Sequence, residues 1–192
     1  YLDSDESQMS QYANSVEYSY SVSPQIFLQE KDGIRQVNPD KSFSSMGLGS
    51  GSSNSIMSAT MSTDVFYEMP ENEDLYKNQY DVKAGRWPEN YKECVLVLTS
   101  QGDISDFLQY TLGLRDSKEL DDMVQKFMAE ESVEAPEDTG TYTYDQILGT
   151  KFKLVNSTDY YEYDEEYKVW KDKSDNNAYM KKLVADGEDL TI

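Results

Sequence analysis

The densest group of side chains that could carry out acid–base chemistry lies between residues 159 and 167, where carboxylates are interleaved with tyrosines. The group comprises Asp159, Tyr160, Tyr161, Glu162, Tyr163, Asp164, Glu165, Glu166 and Tyr167. Two carboxylates roughly 5 to 10 Å apart in a cleft can hydrolyse a glycosidic bond. The pattern also fits an exposed strand or hairpin edge, with carboxylates outward and tyrosines half-buried, and a pattern alone fixes no catalytic geometry. We therefore predict an exposed strand or a hairpin edge here, and no catalytic residues.

Composition excludes several other kinds of catalytic site. The chain has no histidine, so Ser-His-Asp and Cys-His hydrolysis and every metal centre that needs imidazole are excluded. Its single cysteine, Cys94, can form neither an internal disulfide nor a zinc ribbon or iron–sulfur site. Cys94 begins the apolar run 94–98, where a free thiol behaves as a small hydrophobe. We expect a buried structural role for it, and the sequence predicts no cofactor.

Three further segments match ligand-binding motifs only in part. Residues 3–6 and 172–176 are rich in oxygen ligands that suit calcium, but neither has the spacing of an EF-hand loop. Gly47, Gly49 and Gly51 resemble a phosphate-binding loop, yet the Lys-Ser/Thr of that motif does not follow them. We interpret the surrounding Ser-, Gly- and Met-rich stretch as a loop, and predict no dedicated metal site.

The charge balance restricts the possible partners. The 192 residues include 17 basic and 37 acidic ones, a net charge of -20. Such a field repels nucleic-acid phosphates within the Debye length of about 8 Å, so we expect no nucleic acid as partner. The same field attracts cations, which makes basic peptides candidate ligands. With 38% hydrophobic and 12% aromatic residues, the chain has the composition of a folded domain.

Residue patterns predict an alternation of strands and helices. A period of two, or a short apolar run, predicts strands at residues 16–22, 25–29, 34–37, 93–99, 150–155 and 189–192. Capping residues and apolar stripes predict helices that follow Ser105, Asp116, Thr143 and Asn177, and a helical turn or two is expected at 64–76. The apolar stripe of the helix after Asp116, which runs from Leu120 to Met128, is expected to pack in the core. The run at 93–99 is apolar throughout, so we expect that strand to be central in its sheet. Tyr18 and Tyr20 share a strand face that either packs in a core or presents an aromatic platform, and we favour the core.

The segment from Gln79 to Arg115 joins a Gly-Arg-Trp-Pro corner to this apolar strand and a short helix. Pro88 fixes its own φ and biases the preceding residue toward an extended conformation, while a glycine at 85 permits a backbone bend. The structural signature comprises Gly85, Arg86, Trp87, Pro88, Glu93, Gly113 and Gly149. In its order along the chain this signature resembles the extracellular, periplasmic-core-like domain of Gram-positive FtsX/MacB-type ABC transporter permeases.

The resemblance implies an α+β fold in which helices flank a mixed sheet, with a porter-like lobe and a smaller inserted lobe. It implies that residues 1–15 are a flexible lead-in from a missing transmembrane helix, and that residues 16–192 form the extracellular core with a helical and acidic insert at 116–141. Such domains are not enzymes. They lie on the extracellular side of the cell membrane, within permease dimers that work with an ABC ATPase subunit or domain on peptide or lipoprotein cargo.

A second function stays open at this stage. The chain could be a free-standing surface binding module, or a lipoprotein, for peptide or glycan. The two functions differ in the flanking reading frame, because a permease domain requires apolar spans on both sides, whereas a surface module requires a lipobox or a sorting signal.

Overall fold

A computed structural model describes residues 8–18, 20, 22–31, 33–42, 65–133 and 140–192. The strands in this part of the chain are β1 (Gln25–Gln29), β2 (Ile34–Asn38), β3 (Lys151–Val155), β4 (Tyr161–Asp164), β5 (Val169–Asp172) and β6 (Glu188–Thr191). The α-helices are α1 (Asp106–Thr111), α2 (Ser117–Met128), α3 (Tyr144–Ile147) and α4 (Asn177–Asp186). Short 3-10 helices occur at Met9–Gln11, Glu73–Leu75 and Ser157–Tyr160. The predicted α+β class is confirmed.

The main sheet has four strands in the order β2-β1-β3-β6, and each neighbouring pair is antiparallel. The prediction of a mixed sheet is therefore wrong for the paired strands. Between β1 and β2 the chain turns tightly, because Glu30 and Gly33 exchange backbone hydrogen bonds of 2.9 and 3.4 Å. An Asp-Gly pair between two apolar runs predicts a hairpin, and β1 and β2 form one.

The chain divides into two compact units. One unit consists of residues 1–22 and 67–86, and the other of residues 23–66 and 87–192. This division differs from the expected lead-in at 1–15 followed by a core at 16–192. It also places α2, the helix of the expected insert, in the same unit as the main sheet.

Two core clusters cover the two faces of the main sheet. The first core cluster consists of Ile26, Leu28, Val37, Leu112, Phe152 and Leu190. The second consists of Phe27, Val155, Met180 and Val184. Successive residues of β1 enter opposite clusters, as the period of two in a strand requires. The central strand β1 is thus covered by α1 on one side and by α4 on the other.

The helices begin where the capping residues predict. Ser105 accepts a hydrogen bond from the Leu108 amide, and Asp116 accepts one from the Lys118 amide. Thr143 and Gln146 form a complete capping box at the start of α3. Each cap satisfies an amide that would otherwise lack a partner in the first turn. These local signals were read correctly because they act within four residues.

The predicted central strand at 93–99 is wrong. In the part of the chain that the structure describes, the segment pairs only at one point, a parallel bridge between Glu93 and Thr191 at the edge of β6. Cys94 and Leu96 pack against the first core cluster, whereas Val97 is 56% exposed. An apolar run can therefore lie at the edge of the main sheet, and the central strands of that sheet are β1 and β3.

Two further predictions of buried apolar residues are wrong in part. The described residues between 16 and 22 form no strand, and Tyr18, Tyr20 and Val22 are exposed. On α2 the apolar stripe is buried at Leu120 and Val124. Its last turn is exposed, however, at Phe127 and Met128. The sequence period identifies one face of a helix but does not show how much of that face the core covers.

One further prediction differs from the structure, and three predicted segments lie outside the described residues. Within the expected helical stretch 64–76, the described residues form a single 3-10 turn after Pro70. The glycine-rich loop lies almost entirely at residues 43–64, outside the described residues, as do the candidate calcium segment 3–6 and positions 134–139 of the acidic insert.

Candidate functional site

Two signature residues that are distant in sequence meet at the last strand of the main sheet. Glu93 lies beside Thr191, and the Gly149 amide donates a hydrogen bond of 2.9 Å to the Ile192 carbonyl. The Ile192 amide in turn donates to the Thr150 carbonyl at 3.1 Å. Gly149 has a φ of +84°, a conformation that glycine adopts without steric cost. The structure thus brings Glu93 and Gly149 to the same end of β6.

The signature segment is fastened to β6 by its backbone. The Thr191 amide donates a 2.8 Å hydrogen bond to the Lys92 carbonyl, and the Cys94 amide donates one of 2.9 Å to the Thr191 carbonyl. The Glu93 carboxylate accepts a 2.8 Å bond from the Glu89 amide, which holds the turn before the strand-like segment. We call residues 91–94, together with β6, the β6 clamp.

Side chains reinforce the β6 clamp. The Tyr91 hydroxyl donates to one carboxylate oxygen of Glu188 at 3.0 Å, and the Lys92 ammonium lies 3.3 Å from the other. The hydrogen bonds from Tyr91 and Lys92 lower the pKa of Glu188. No local pattern indicates this contact, because its members are nearly a hundred positions apart and each is an ordinary surface residue.

Ion pairs join the other side of β6 to β3. Lys153 lies 2.7 Å and Lys151 3.0 Å from the Asp189 carboxylate. Hydrogen bonds from Lys153 and Lys151, in that order of effect, lower the pKa of Asp189. The pairing holds the two strands in register at a point where β6 faces solvent.

The Asp189 pairing predicts a defined pH dependence of stability. A carboxylate with a lowered pKa stabilises the fold above its unfolded pKa of about 4, and the effect is lost as pH falls through the folded pKa. Asp189→Asn is therefore expected to lower the free energy of unfolding at pH 7 and to have less effect at pH 3. Urea unfolding at both pH values measures this.

The exposed carboxylate of Asp175, in the turn before α4, provides the control for that experiment. Asp175→Asn should change the free energy of unfolding little at either pH. An Asp189→Asn effect of the same size at pH 3 as at pH 7 would show that the ion pairs do not stabilise β6.

The other signature residues have separate positions. Gly113 ends α1 with a φ of +70°, and a Cβ there would lie 3.0 Å from Leu28 Cδ2 of β1. Gly85, with a φ of +71°, and Arg86 belong to one compact unit, whereas Trp87 and Pro88 begin the segment that belongs to the other. The corner thus coincides with the boundary between the units.

Cys94 has the structural role that the sequence predicts. Its thiol is half-buried and lies 3.5 Å from the Thr191 carbonyl. Burial raises the pKa of Cys94 to about 11. The thiol is therefore protonated at neutral pH, and a protonated thiol is a poor nucleophile and metal ligand.

The acidic, tyrosine-rich segment forms the predicted hairpin, β4 and β5, but its tyrosines are more exposed than expected. Tyr161, Tyr163 and Tyr167 are all exposed, and Trp170 on β5 is 67% exposed. Asp164 forms an ion pair with Lys171, and this contact is the main cause of its lowered pKa. A general acid needs a raised pKa, so Asp164 is a poor candidate for that role.

No three Asp, Glu, His or Cys side chains in the described part of the chain are grouped so that they could hold a metal ion. The described helices are too short or too polar to cross a membrane. Comparison of the chain with protein-family models, with curated proteins and with solved structures finds no match.

Proposed function

We propose that this chain is the extracellular domain of an FtsX/MacB-type ABC transporter permease, and that it has no catalytic residues of its own. The observation that carries the proposal is that two signature residues from different motifs of the resemblance meet where β6 ends. Glu93 bridges Thr191, the last residue of β6, and Gly149 is bonded to Ile192, the residue that follows it. A signature that serves catalysis would instead converge on a cleft that holds reactive groups.

In this proposal the β6 clamp transmits movement. β6 is bonded to the signature segment on one edge and to β3 on the other, so a displacement of β6 must move both or break backbone hydrogen bonds. Rigid elements of this kind are what a coupling mechanism requires. The driving force is ATP hydrolysis by a cytoplasmic ABC ATPase subunit or domain, acting through a permease dimer in the cell membrane of a Gram-positive bacterium.

The two compact units have a place in the same proposal. The unit that contains the main sheet is the candidate for the porter-like lobe, and the unit formed by residues 1–22 and 67–86 is the candidate for the smaller lobe. The corner at residues 85–88 then lies where the chain passes from one lobe to the other. The movement of the domain results in export of peptide or lipoprotein cargo, or in control of an extracytoplasmic partner.

One observation favours the alternative of a free-standing surface module for peptide or glycan. The β4–β5 hairpin exposes Tyr163 and Trp170, and exposed aromatic side chains are the usual contact groups of both ligand classes. In a permease domain the same face would serve to recognise cargo.

The reading frame on both sides of this chain distinguishes the two functions. A permease predicts a stretch of about 20 apolar residues shortly before Tyr1 and another soon after Ile192. A lipobox or a cell-wall sorting signal in those places, without apolar spans, would establish the surface module instead. Co-purification of an ABC ATPase with the full-length membrane protein is the matching biochemical result.

A further inference from the structure

The β4–β5 hairpin has two chemically different faces. Its register pairs Tyr161 with Asp172 and Tyr163 with Trp170, and these four side chains share one face because strand residues alternate. We call them the aromatic face. The opposite face carries Glu162, Asp164, Val169 and Lys171.

The aromatic face is open and ordered. The Tyr163 and Trp170 rings lie 5.2 Å apart with an interplanar angle of 54°, a favourable tilted contact between aromatic rings. Neither ring belongs to the two core clusters, and 43% of Tyr163 is exposed. Two large aromatic rings thus hold each other in a fixed position while their outer surfaces face solvent.

The hairpin is held in place at its base. Tyr160, just before β4, packs against the second core cluster, and its hydroxyl lies 3.1 Å from the Gln25 side-chain oxygen of β1. The Lys173 amide donates to the Tyr160 carbonyl at 2.8 Å, and the Tyr179 hydroxyl of α4 donates to the Asp159 carbonyl at 2.9 Å. A ligand that binds the hairpin therefore does not have to order it first.

The charge around the hairpin selects the ligand. Between residues 159 and 175 the chain has seven carboxylates and three lysines. Two of the lysines form ion pairs on the hairpin, Lys171 with Asp164 and Lys173 with Glu162. The remaining five carboxylates exceed the one remaining lysine of this segment, Lys168. They include Asp172 on the aromatic face, whose pKa is lowered by hydrogen bonds from Ser174 and, to a smaller extent, by the charge of Lys41, so four carboxylates still lack a cation among the described residues. An anionic or neutral ligand gains nothing from this excess, whereas a cationic one does.

We infer that the aromatic face binds a basic peptide in an extended conformation, with an arginine or lysine side chain over Trp170 and Tyr163. Cations are attracted to the faces of such rings, and the hairpin already has one example, since the Lys171 ammonium lies 5.4 Å from the Tyr167 ring centroid. In the described part of the chain each hairpin strand pairs with one other strand, so an extended peptide can add along an edge.

The inference depends on the proposed function in one respect: it identifies the bound peptide as the cargo or extracellular partner of the permease. Binding itself is measured on the isolated 192-residue chain. The test titrates it by calorimetry with a peptide of alternating arginine and glycine, with a neutral peptide of alternating glutamine and glycine, and with an oligosaccharide of N-acetylglucosamine.

The expected result is binding of the arginine peptide alone, weakened by added salt. Trp170→Ala should reduce the affinity about tenfold, and Trp170→Phe by less, because indole is the best cation-binding ring. Tyr12→Ala, at an exposed tyrosine of the other compact unit, should leave affinity unchanged. The pair Glu165→Gln and Glu166→Gln should weaken binding more than the equal charge change Glu130→Gln and Glu131→Gln.

Four results would overturn the inference: no binding of the arginine peptide, equal binding of the neutral peptide, equal effects of Trp170→Ala and Tyr12→Ala, or oligosaccharide binding that Trp170→Ala removes. The last would make the aromatic face a glycan site. Each of these results concerns peptide binding at the hairpin alone. The permease function is tested separately, by the flanking reading frame, so a failure of one hypothesis can be told from a failure of the other.

Discussion

Replacement of Phe152 by alanine is expected to lower the free energy of unfolding by about 3–5 kcal/mol. Phe152 lies in the central strand β3, is 1% exposed, and packs edge-to-face on Phe66 with ring centroids 5.3 Å apart. Removing the ring leaves a cavity among the five other buried residues of the first core cluster, which cannot all move to fill it. Chemical denaturation followed by tryptophan fluorescence measures the change.

Phe127→Ala is the matched control for that substitution. Phe127 is the same residue type in the last turn of α2, but it is exposed, so we expect a loss of less than about 1 kcal/mol. Trp87, half-buried in the unit that contains Phe152, is a suitable reporter of its unfolding. Similar losses for the two variants would mean that the sheet is not the centre of the core.

Gly113→Ala is expected to destabilise the chain by about 2 kcal/mol, the second largest effect among these variants. Gly113 ends α1 in a left-handed conformation, with its amide bonded to the Tyr110 carbonyl at 3.1 Å and the Leu114 amide bonded to the Gln109 carbonyl at 2.9 Å. These two bonds define a Schellman motif, which favours glycine. An added methyl group would also press on Leu28 of β1.

Gly149→Ala separates the two causes of the Gly113→Ala effect, which are backbone strain at positive φ and the contact with Leu28. Gly149 is also a signature glycine with positive φ, but an added Cβ there meets no atom within 4 Å. We expect it to cost only the backbone strain, about 1 kcal/mol. The excess for Gly113→Ala over Gly149→Ala then measures the contact with Leu28. Equal losses would show that this close approach has no energetic effect.

Local features of this fold could be predicted from sequence because their causes are local. Ser105, Asp116 and the Thr143–Gln146 pair cap helices within four residues of themselves. The strands β1, β2, β3 and β6 were located by apolar runs between turn residues. The α+β class followed from the mixture of these elements.

Position within the fold could not be predicted in the same way. The apolar runs at 26–28 and 94–98 look equivalent, yet the first is central and the second lies at an edge. The difference arises from which elements cover each face, and this depends on contacts distant in sequence. For the same reason the exposed end of α2 and the exposed Tyr18 and Tyr20 were predicted to be buried.

For the candidate site too, the sequence predicted the local elements but not their contacts with distant residues. The alternation at 160–167 indicated the hairpin, but Trp170 joins the aromatic face only through the register across the turn. Glu93 and Gly149 were selected by motif order, whereas their meeting at β6 required the long-range pairing of the sheet. Sequence therefore identified the segments, and the structure supplied their partners.

Labelling of the full-length protein in intact cells determines whether this domain lies outside the membrane. Gln101→Cys places a thiol in an exposed turn, while Cys94, half-buried with a pKa raised to about 11, serves as the internal control of low reactivity. A membrane-impermeant maleimide should label Gln101→Cys in intact cells, with the protein in the membrane fraction. Labelling only after lysis, or a protein that does not sediment with membranes, would contradict the account.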